Sequence, residues 1–237
     1  MMEKMYQKAK KEKAEICMCN QRKVDENYQE MEIETLDIKG EYGSCRDNTN
    51  ILFTNMGPCN KIFKTELIKK EQLLFPSNER MWYEDLPFVA AAIISAKKIC
   101  WLNEAYYNYL QRTNSTMNNS NIEKNLDIIK SFEILKKNIS KKNVNKKLEE
   151  ELEFLCLDHV YLFSSVRVIK IKDSYKRKKE VLNKLKEYIK SNYPNYKKNK
   201  YIKTLSTKRK IIFYLLNLKL YNIIYLIFFI KEKQKKV

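Results

Sequence analysis

Near its start the chain changes its hydrophobic period abruptly, and this change constrains the fold more than any other feature. Residues 2–13 place Met5 and Ala9 four positions apart, which is the spacing of one helical face. Residues 14–19 form a short, largely apolar run that is typical of a buried strand. A helix that leads directly into a buried strand is half of an α/β unit, so we expect an α/β fold.

Strand-like and helix-like patterns continue to alternate as far as about residue 120. Residues 30–39 alternate between apolar and charged side chains, which predicts an exposed strand or hairpin arm. Residues 88–96 are apolar and rich in alanine, which predicts a helix that packs closely against its neighbours. Two short strands are expected over residues 98–102 and 105–110, on either side of a polar pair.

Beyond Ile122 the apolar residues return to helical spacing, and we expect this part of the chain to be wholly helical. Residues 211–230 form a mostly apolar stretch whose length would just cross a bilayer. Lys219 near its centre argues against a span, because it would cost roughly 3 kcal/mol on insertion. Both flanks are basic, which favours a helix lying on an anionic leaflet. A helix docked onto its own domain is the alternative.

The positive charge of the chain is concentrated in the same region. The net charge is +18, from 47 Lys and Arg against 29 Asp and Glu, and +11 of it lies within residues 197–237. Such a field attracts polyanions without specificity. However, the aromatic residues do not alternate with Lys and Arg as they would in a stacking groove, and no helix-turn-helix or zinc-finger pattern is present. We therefore expect no specific nucleic-acid partner.

The six cysteines and the single histidine do not form a metal-binding pattern. No C-x-x-C spacing occurs, so we interpret the cysteines as buried, reduced thiols and His159 as a packed helix residue. Residues 1–13 are charged and lack the apolar core of a signal peptide. Together with the basic, apolar tail, this predicts a cytoplasmic protein that lies peripherally on the inner face of the plasma membrane.

One ordered series of motifs carries the chemistry. Its acidic pair, Glu84-Asp85, lies at a predicted helix start. The helix dipole stabilises carboxylates at such positions, so the pair can have a purely structural role. The aromatic and proline residues around the pair would partly desolvate a carboxylate, which is the environment of a general base. The series in chain order is Asn60-Lys61-Ile62-Phe63-Lys64, Phe75-Pro76, Tyr83-Glu84-Asp85-Leu86-Pro87-Phe88, Tyr106-Tyr107-Asn108-Tyr109 and Arg112-Thr113-Asn114-Ser115.

In order and spacing, this series resembles the C-terminal half of the family-2 glycosyltransferases, bacterial enzymes with a GT-A fold that build cell-surface polysaccharides. The resemblance covers about residues 1–120 and, loosely, the helical tail. It implies inverting transfer of a sugar from a nucleotide-sugar donor to a saccharide acceptor, with Asp85 as the catalytic base that deprotonates the acceptor hydroxyl. The other implied roles are acceptor binding by Trp82, Tyr83 and Glu84, and donor-diphosphate binding by Arg112 and Ser115.

The nucleotide-binding half of the family, which ends in an Asp-x-Asp motif, is missing. That motif holds a divalent cation, Mg²⁺ or Mn²⁺, on the donor diphosphate through hard oxygen ligands. The first thirty residues contain no Asp-x-Asp, so the resemblance implies a cation whose ligand motif this chain lacks. We therefore expect a chain that is inactive alone, either as a fragment or as the partner of a separate N-terminal half.

The patterns together predict an α/β fold, a partial GT-A-like domain followed by a largely α-helical C-terminal region. The acceptor-side half of the transferase domain is expected over residues 1–120 and a helical region over residues 121–205. Residues 206–237 are expected to form a basic, apolar, membrane-associated helix. A second hypothesis rests on the +18 charge, namely a non-enzymatic basic protein that binds anionic membrane or nucleic acid.

Overall fold

The computed structural model describes residues 1–76, 81–112, 121–140 and 148–234. The chain divides into two compact units, which are described separately. The first comprises Met1–Asn119 and Glu133–Lys147, and the second comprises Ser120–Phe132 and Leu148–Val237. The first unit contains a mixed sheet with helices, and the described part of the second unit is helical. The α/β class predicted from the sequence is confirmed.

Two long parallel strands form the centre of the five-stranded sheet. β1 (Ile16–Val24) runs parallel to β5 (Ile99–Leu110) over its whole length. On the other edge of β1, β4 (Lys61–Phe63) and β2 (Glu30–Glu34) pair antiparallel with its first and second halves respectively. β3 (Tyr42–Gly43) pairs antiparallel with the start of β5. This order places β1 in the interior of the sheet.

Burial on both faces explains the continuous apolar run at the start of β1. The first six residues of the strand are buried, as expected for a strand that is covered on both sides. α1 (Met2–Glu12) covers one face through Met5, which packs with Ala14 and with Cys17, Cys19 and Cys100. Five of the six cysteines are buried free thiols, whereas Cys59 is exposed.

Two more helices of the first unit are described between β4 and β5. α2 (Thr65–Lys70) is a short helix directly after β4. α3 (Asp85–Ser95) buries nine of its eleven residues, which is why its sequence is apolar all round rather than amphipathic. A short connection leads from α3 into β5. The helix predicted over residues 88–96 is confirmed, and it begins three residues earlier than predicted.

β5 is one strand rather than the two short strands predicted. Leu102 lies opposite Cys19 and Ala105 opposite Asn20, so the two residues between Leu102 and Ala105 are extra. The Asn20 Nδ2 atom donates a hydrogen bond to the carbonyl oxygen of Asn103 at 2.5 Å. The polar pair therefore forms a bulge that shifts the register without ending the strand.

The second unit is helical throughout its described residues, as predicted. A π-helical segment, Leu157–Phe163, joins two of its helices into one continuous run and contains His159. Burial lowers the pKa of His159 to about 4, so this side chain is a neutral, packed helix residue. The helices that follow β5 are α4 (Asp127–Ser140), α5 (Glu149–Cys156), α6 (Ser164–Lys170), α7 (Tyr175–Asn192), α8 (Thr207–Asn217) and α9 (Tyr221–Gln234).

The apolar stretch over residues 211–230 is divided between two helices. α8 ends at Asn217 and α9 begins at Tyr221, because Lys219 adopts a left-handed conformation with φ of 59°. Within the described residues, no helix combines the length and the apolar character that a membrane crossing requires. Each helix buries one face and leaves apolar side chains exposed on the other.

Candidate active site

The acidic pair of the motif series lies at the start of α3. Asp85 is the first residue of the helix and is half-buried, whereas Glu84 precedes the helix and is exposed. Burial and the negative charge of Glu84 raise the pKa of Asp85 to about 6, and the positive charge of Lys61 opposes this shift. A carboxylate that titrates close to neutral pH is suited to accept a proton from a hydroxyl group.

Tyr83, directly before the acidic pair, has a strained backbone. Its φ of 66° lies in the left-handed region, which costs an aromatic residue on the order of 1–2 kcal/mol. The rings of Trp82 and Tyr83 are half-buried and meet edge to face, with 6.5 Å between their centroids. Strain of this kind concentrates at positions where the surrounding structure holds the backbone for a function.

Lys61 is the buried cation of the site, with 5% of its surface exposed. Its ammonium group donates hydrogen bonds to the carbonyl oxygens of Asn55 and Gly57, at 2.7 and 2.8 Å. A third bond goes to Oδ1 of Asn60 at 2.8 Å. Burial lowers the pKa of Lys61 to about 8, although the negative charges of Glu34 and Asp85 oppose the shift. The ammonium group is therefore a fixed positive charge close to Asp85.

Hydrogen bonds tie this cation to the central strand and to β2. The backbone N–H of Cys19 donates to the Asn60 carbonyl at 3.0 Å, and Asn60 Nδ2 donates to the Cys19 carbonyl at 2.6 Å. The Glu34 carboxylate accepts from the side-chain amides of Asn55 and Gln21, each at 2.9 Å. Burial alone would raise the pKa of Glu34, but these amides lower it. Glu34 is therefore a second fixed charge beside Lys61.

Aromatic contacts bring the separate motifs together. The ring of Phe88 stacks on Phe75 at 4.1 Å and meets Phe63 edge to face at 5.3 Å, measured between centroids. The segment with Asn60 and Lys61, the Phe-Pro pair and the acidic motif therefore share one packed cluster. The tyrosine motif on β5 is connected to this cluster by a hydrogen bond between Tyr107 and Cys59. This bond, together with burial, raises the pKa of Tyr107.

The proposed donor-side residues lie away from this cluster or outside the described residues. Beyond the end of β5, the Gln111 N–H donates to the Val24 carbonyl at 2.8 Å, and the next residue, Arg112, is exposed. Asn60 pairs with Cys19, which precedes Val24 by five residues on β1. The two pairing points are therefore about 16 Å apart along the strand. Ser115 lies outside the described residues.

The residues of the site do not fit a divalent cation. Within the described ranges, no group of three or more His, Cys, Asp or Glu residues could hold a metal ion. Mg²⁺ and Mn²⁺ prefer several oxygen ligands in near-octahedral geometry, and Glu84 and Asp85 alone do not provide them. Glu84 and Asp85 are therefore assigned no metal-binding role.

Comparisons with known proteins identify the fold. No protein-family model and no curated protein matches the chain. Among solved structures, it is similar to S. aureus TarS 1-349, with 16% sequence identity and a TM-score of 0.62. The chain therefore shares its fold with TarS 1-349 over the matched residues. The match covers 94% of this chain but only 60% of the TarS chain, so this chain spans less than two thirds of that structure.

Two further TarS structures also match. One is S. aureus TarS 1-349 in complex with UDP-GlcNAc, at 15% identity and a TM-score of 0.43, covering 91% of this chain and 51% of that chain. The other is a crystal structure of S. aureus TarS, at 15% identity and a TM-score of 0.48, covering 83% and 37% respectively. Of the three matches, only TarS 1-349 with its TM-score of 0.62 shows a shared fold, and at 16% identity it shows the fold alone.

The sequence pattern assigns no role to Lys61 or Glu34. Glu34 follows the alternation of an exposed strand, and Lys61 is one of many lysines in a basic chain. Only the pairing of β4 with the buried half of β1 places Lys61 in the interior, opposite Met18. The one signal in the sequence is the Asn60-Lys61 pair at the start of the motif series, and the pair alone does not indicate that the Lys61 side chain is buried.

Proposed function

We propose that this chain forms the acceptor side of an inverting glycosyltransferase that uses a nucleotide-sugar donor and builds a cell-surface polysaccharide. The observation that carries the proposal is the environment of Asp85. Its carboxyl group is half-buried, has a pKa of about 6 and lies near the buried ammonium group of Lys61. The shared fold with TarS supports the reaction class. TarS has been crystallised with UDP and with UDP-GlcNAc, which supports a nucleotide sugar as the donor.

In the proposed reaction, Asp85 accepts the proton of an acceptor hydroxyl while that oxygen attacks the anomeric carbon of the donor sugar. The bond from that carbon to the diphosphate breaks, and the configuration inverts. Burial makes Asp85 a stronger base than an exposed aspartate, and the charge of Lys61 keeps it ionised at neutral pH. Trp82 and Tyr83 offer ring faces to the acceptor sugar, and Glu84 accepts hydrogen bonds from its hydroxyl groups.

The donor side of the reaction requires groups beyond those described. The described residues contain no cluster that could hold a metal ion. We propose that a separate N-terminal half supplies the nucleotide site and its Mg²⁺ or Mn²⁺, and that the chain alone has no transferase activity. Arg112 and Ser115 would then approach the diphosphate, where a guanidinium group stabilises the leaving group.

The test is a transfer assay on the chain co-expressed with the polypeptide that is encoded immediately upstream. Release of nucleoside diphosphate from a panel of nucleotide sugars is measured with and without saccharide acceptors. Asp85→Asn should lower kcat by about 10²–10⁴-fold without changing acceptor affinity or the circular dichroism spectrum. Asp37→Asn, which alters an exposed carboxylate, should leave turnover unchanged.

Two results would contradict the proposal. Turnover that survives in Asp85→Asn would refute the role of this residue as the base. The absence of saccharide binding, both by the chain alone and by the co-expressed pair, would refute the acceptor side itself.

A further inference from the structure

A cavity of about 510 Å³ in the second unit is lined by lysines. Lys186 and Lys190 project from α7, Lys197 lies in the turn that follows that helix, and Lys219 lies between α8 and α9. Glu187 is the one carboxylate among the described lining residues. Four ammonium groups around one opening create a strongly positive local field.

Hydrogen bonds fix the position of this cluster. Lys186 Nζ donates to the carbonyl oxygen of Asn217, the last residue of α8, at 2.9 Å. The Tyr196 hydroxyl donates to Asn217 Oδ1 at 2.6 Å, and Asn217 Nδ2 donates to the Phe213 carbonyl at 2.9 Å. Burial and the charges of the other three lysines lower the pKa of Lys186. The ammonium groups therefore repel one another, and an anion in the cavity would relieve that repulsion.

Among the described residues, some cations of the second unit form ion pairs with carboxylates, and these four lysines do not. Within the described part of the chain, none of the four lysines forms an ion pair. Elsewhere in the unit, the cations of Arg177 and Lys200 contact carboxylates, namely Glu123, Asp173, Glu150 and Glu151. A cluster of four lysines without carboxylate partners favours a ligand that carries several anionic oxygens, and a phosphate group is the most compact ligand of that kind.

Exposed apolar side chains continue from the cavity along α8 and α9. Leu218 and Leu220, on either side of Lys219, are 67% and 41% exposed. α9 is held by its other face, where Tyr221 and Ile224 are buried. The remaining exposed apolar residues of the two helices are Ile211, Tyr214, Ile223, Tyr225, Leu226, Phe229 and Ile230. Basic groups beside projecting apolar side chains are typical of helices that lie in a lipid interface.

We propose that the lysine-lined cavity binds the phosphate of an anionic phospholipid headgroup, while Leu218, Leu220 and the exposed face of α9 enter the acyl boundary. The charge of the cavity is complementary to an anionic leaflet. The exposed leucines on both sides of Lys219 favour a lipid over a soluble phosphate compound, which would leave them in water. This proposal is independent of the transfer reaction, because it involves none of the residues around Asp85.

Co-sedimentation of the full chain with vesicles tests the proposal. The chain should bind phosphatidylcholine vesicles that contain phosphatidylglycerol and should bind pure phosphatidylcholine vesicles much more weakly. Lys186→Gln combined with Lys219→Gln should lower the affinity about 25-fold, since each lysine near an anionic surface contributes roughly fivefold. The matched control, Lys184→Gln with Lys203→Gln, removes the same charge from exposed positions outside the cavity and should change the affinity by less than about twofold.

Additional measurements distinguish a lipid from other polyanions. Leu218→Asn with Leu226→Asn should weaken vesicle binding but leave binding of inositol hexakisphosphate unchanged. Melting curves from circular dichroism establish that each variant is folded. Equal losses in the cavity and control variants would overturn the assignment of the cavity. Binding to inositol hexakisphosphate or duplex DNA that equals or exceeds binding to anionic vesicles would overturn the assignment of the lipid.

Discussion

Replacing Asp85 with asparagine should stabilise the first unit at neutral pH. The pKa of Asp85 rises from 3.8 to about 6 on folding, so the folded chain binds more protons than the unfolded chain between these values. Its contribution to stability is therefore fully present below pH 3.8 and is lost as the pH rises through about 6. Asparagine has the shape of the protonated side chain at every pH, so the variant avoids this loss.

The size of the effect follows from the pKa shift and the burial of the side chain. A shift of about two pH units corresponds to about 3 kcal/mol. Because Asp85 is only half-buried, solvent screens its interactions, and the expected gain is about 1–1.5 kcal/mol at pH 7.5. A gain of this kind is expected when a desolvated catalytic group is removed, since function and stability compete at such a position.

Tryptophan fluorescence in urea measures this effect selectively. The chain has two tryptophans, and Trp82 and Trp101 both belong to the first unit. The free energy of unfolding of Asp85→Asn should exceed that of the native sequence at pH 7.5, and the difference should shrink steadily towards pH 4. Asp37→Asn, at an exposed position, should change it by less than about 0.5 kcal/mol at either pH. A gain that is independent of pH, or a loss at pH 7.5, would refute the desolvation of Asp85.

Two further substitutions test the packing around the site. Lys61→Met leaves three buried oxygens without their donor and should lower the free energy of unfolding by about 2–3 kcal/mol in the same urea assay. The exposed control Lys64→Met should have little effect, and equal midpoints for the two variants would contradict the reasoning. Lys13→Gly relieves a φ of 52° at the end of α1 and should raise the free energy of unfolding by about 0.5–1 kcal/mol. A lower urea midpoint would show that the lysine side chain matters more than its backbone.

The elements that the sequence predicts well are those whose burial is determined locally. α1 and α3 are recognisable because the spacing of their apolar residues reflects the face, or in α3 the whole surface, that is buried. The polar pair within β5 misleads, because the hydrogen bond that keeps the strand continuous comes from Asn20, which lies 83 residues earlier than Asn103. The sequence likewise does not predict where α8 ends, since no residue pattern indicates that the backbone of Lys219 is left-handed.

Some properties of the candidate site depend on residues that are adjacent in the sequence, and others depend on residues that are distant in it. The motif predicts the carboxylate of Asp85 and the aromatic residues before it, because they are contiguous in the chain. The chemical state of Asp85 depends on its burial and on Lys61, which reaches the site through β4. No periodicity in the sequence separates a buried lysine from the many exposed lysines of a chain with a net charge of +18.

The hydrogen bonds of Lys61 explain how Asp85 can lie near a cation and still act as a base. An ammonium group has three N–H donors, and those of Lys61 are all used by Asn55, Gly57 and Asn60. Lys61 therefore acts on Asp85 through its charge and not through a direct hydrogen bond. A direct ion pair would lower the pKa of Asp85 and occupy its oxygens. Because the ammonium is held elsewhere, its charge favours the ionised carboxylate at neutral pH without occupying the oxygens that would accept the proton of an acceptor hydroxyl.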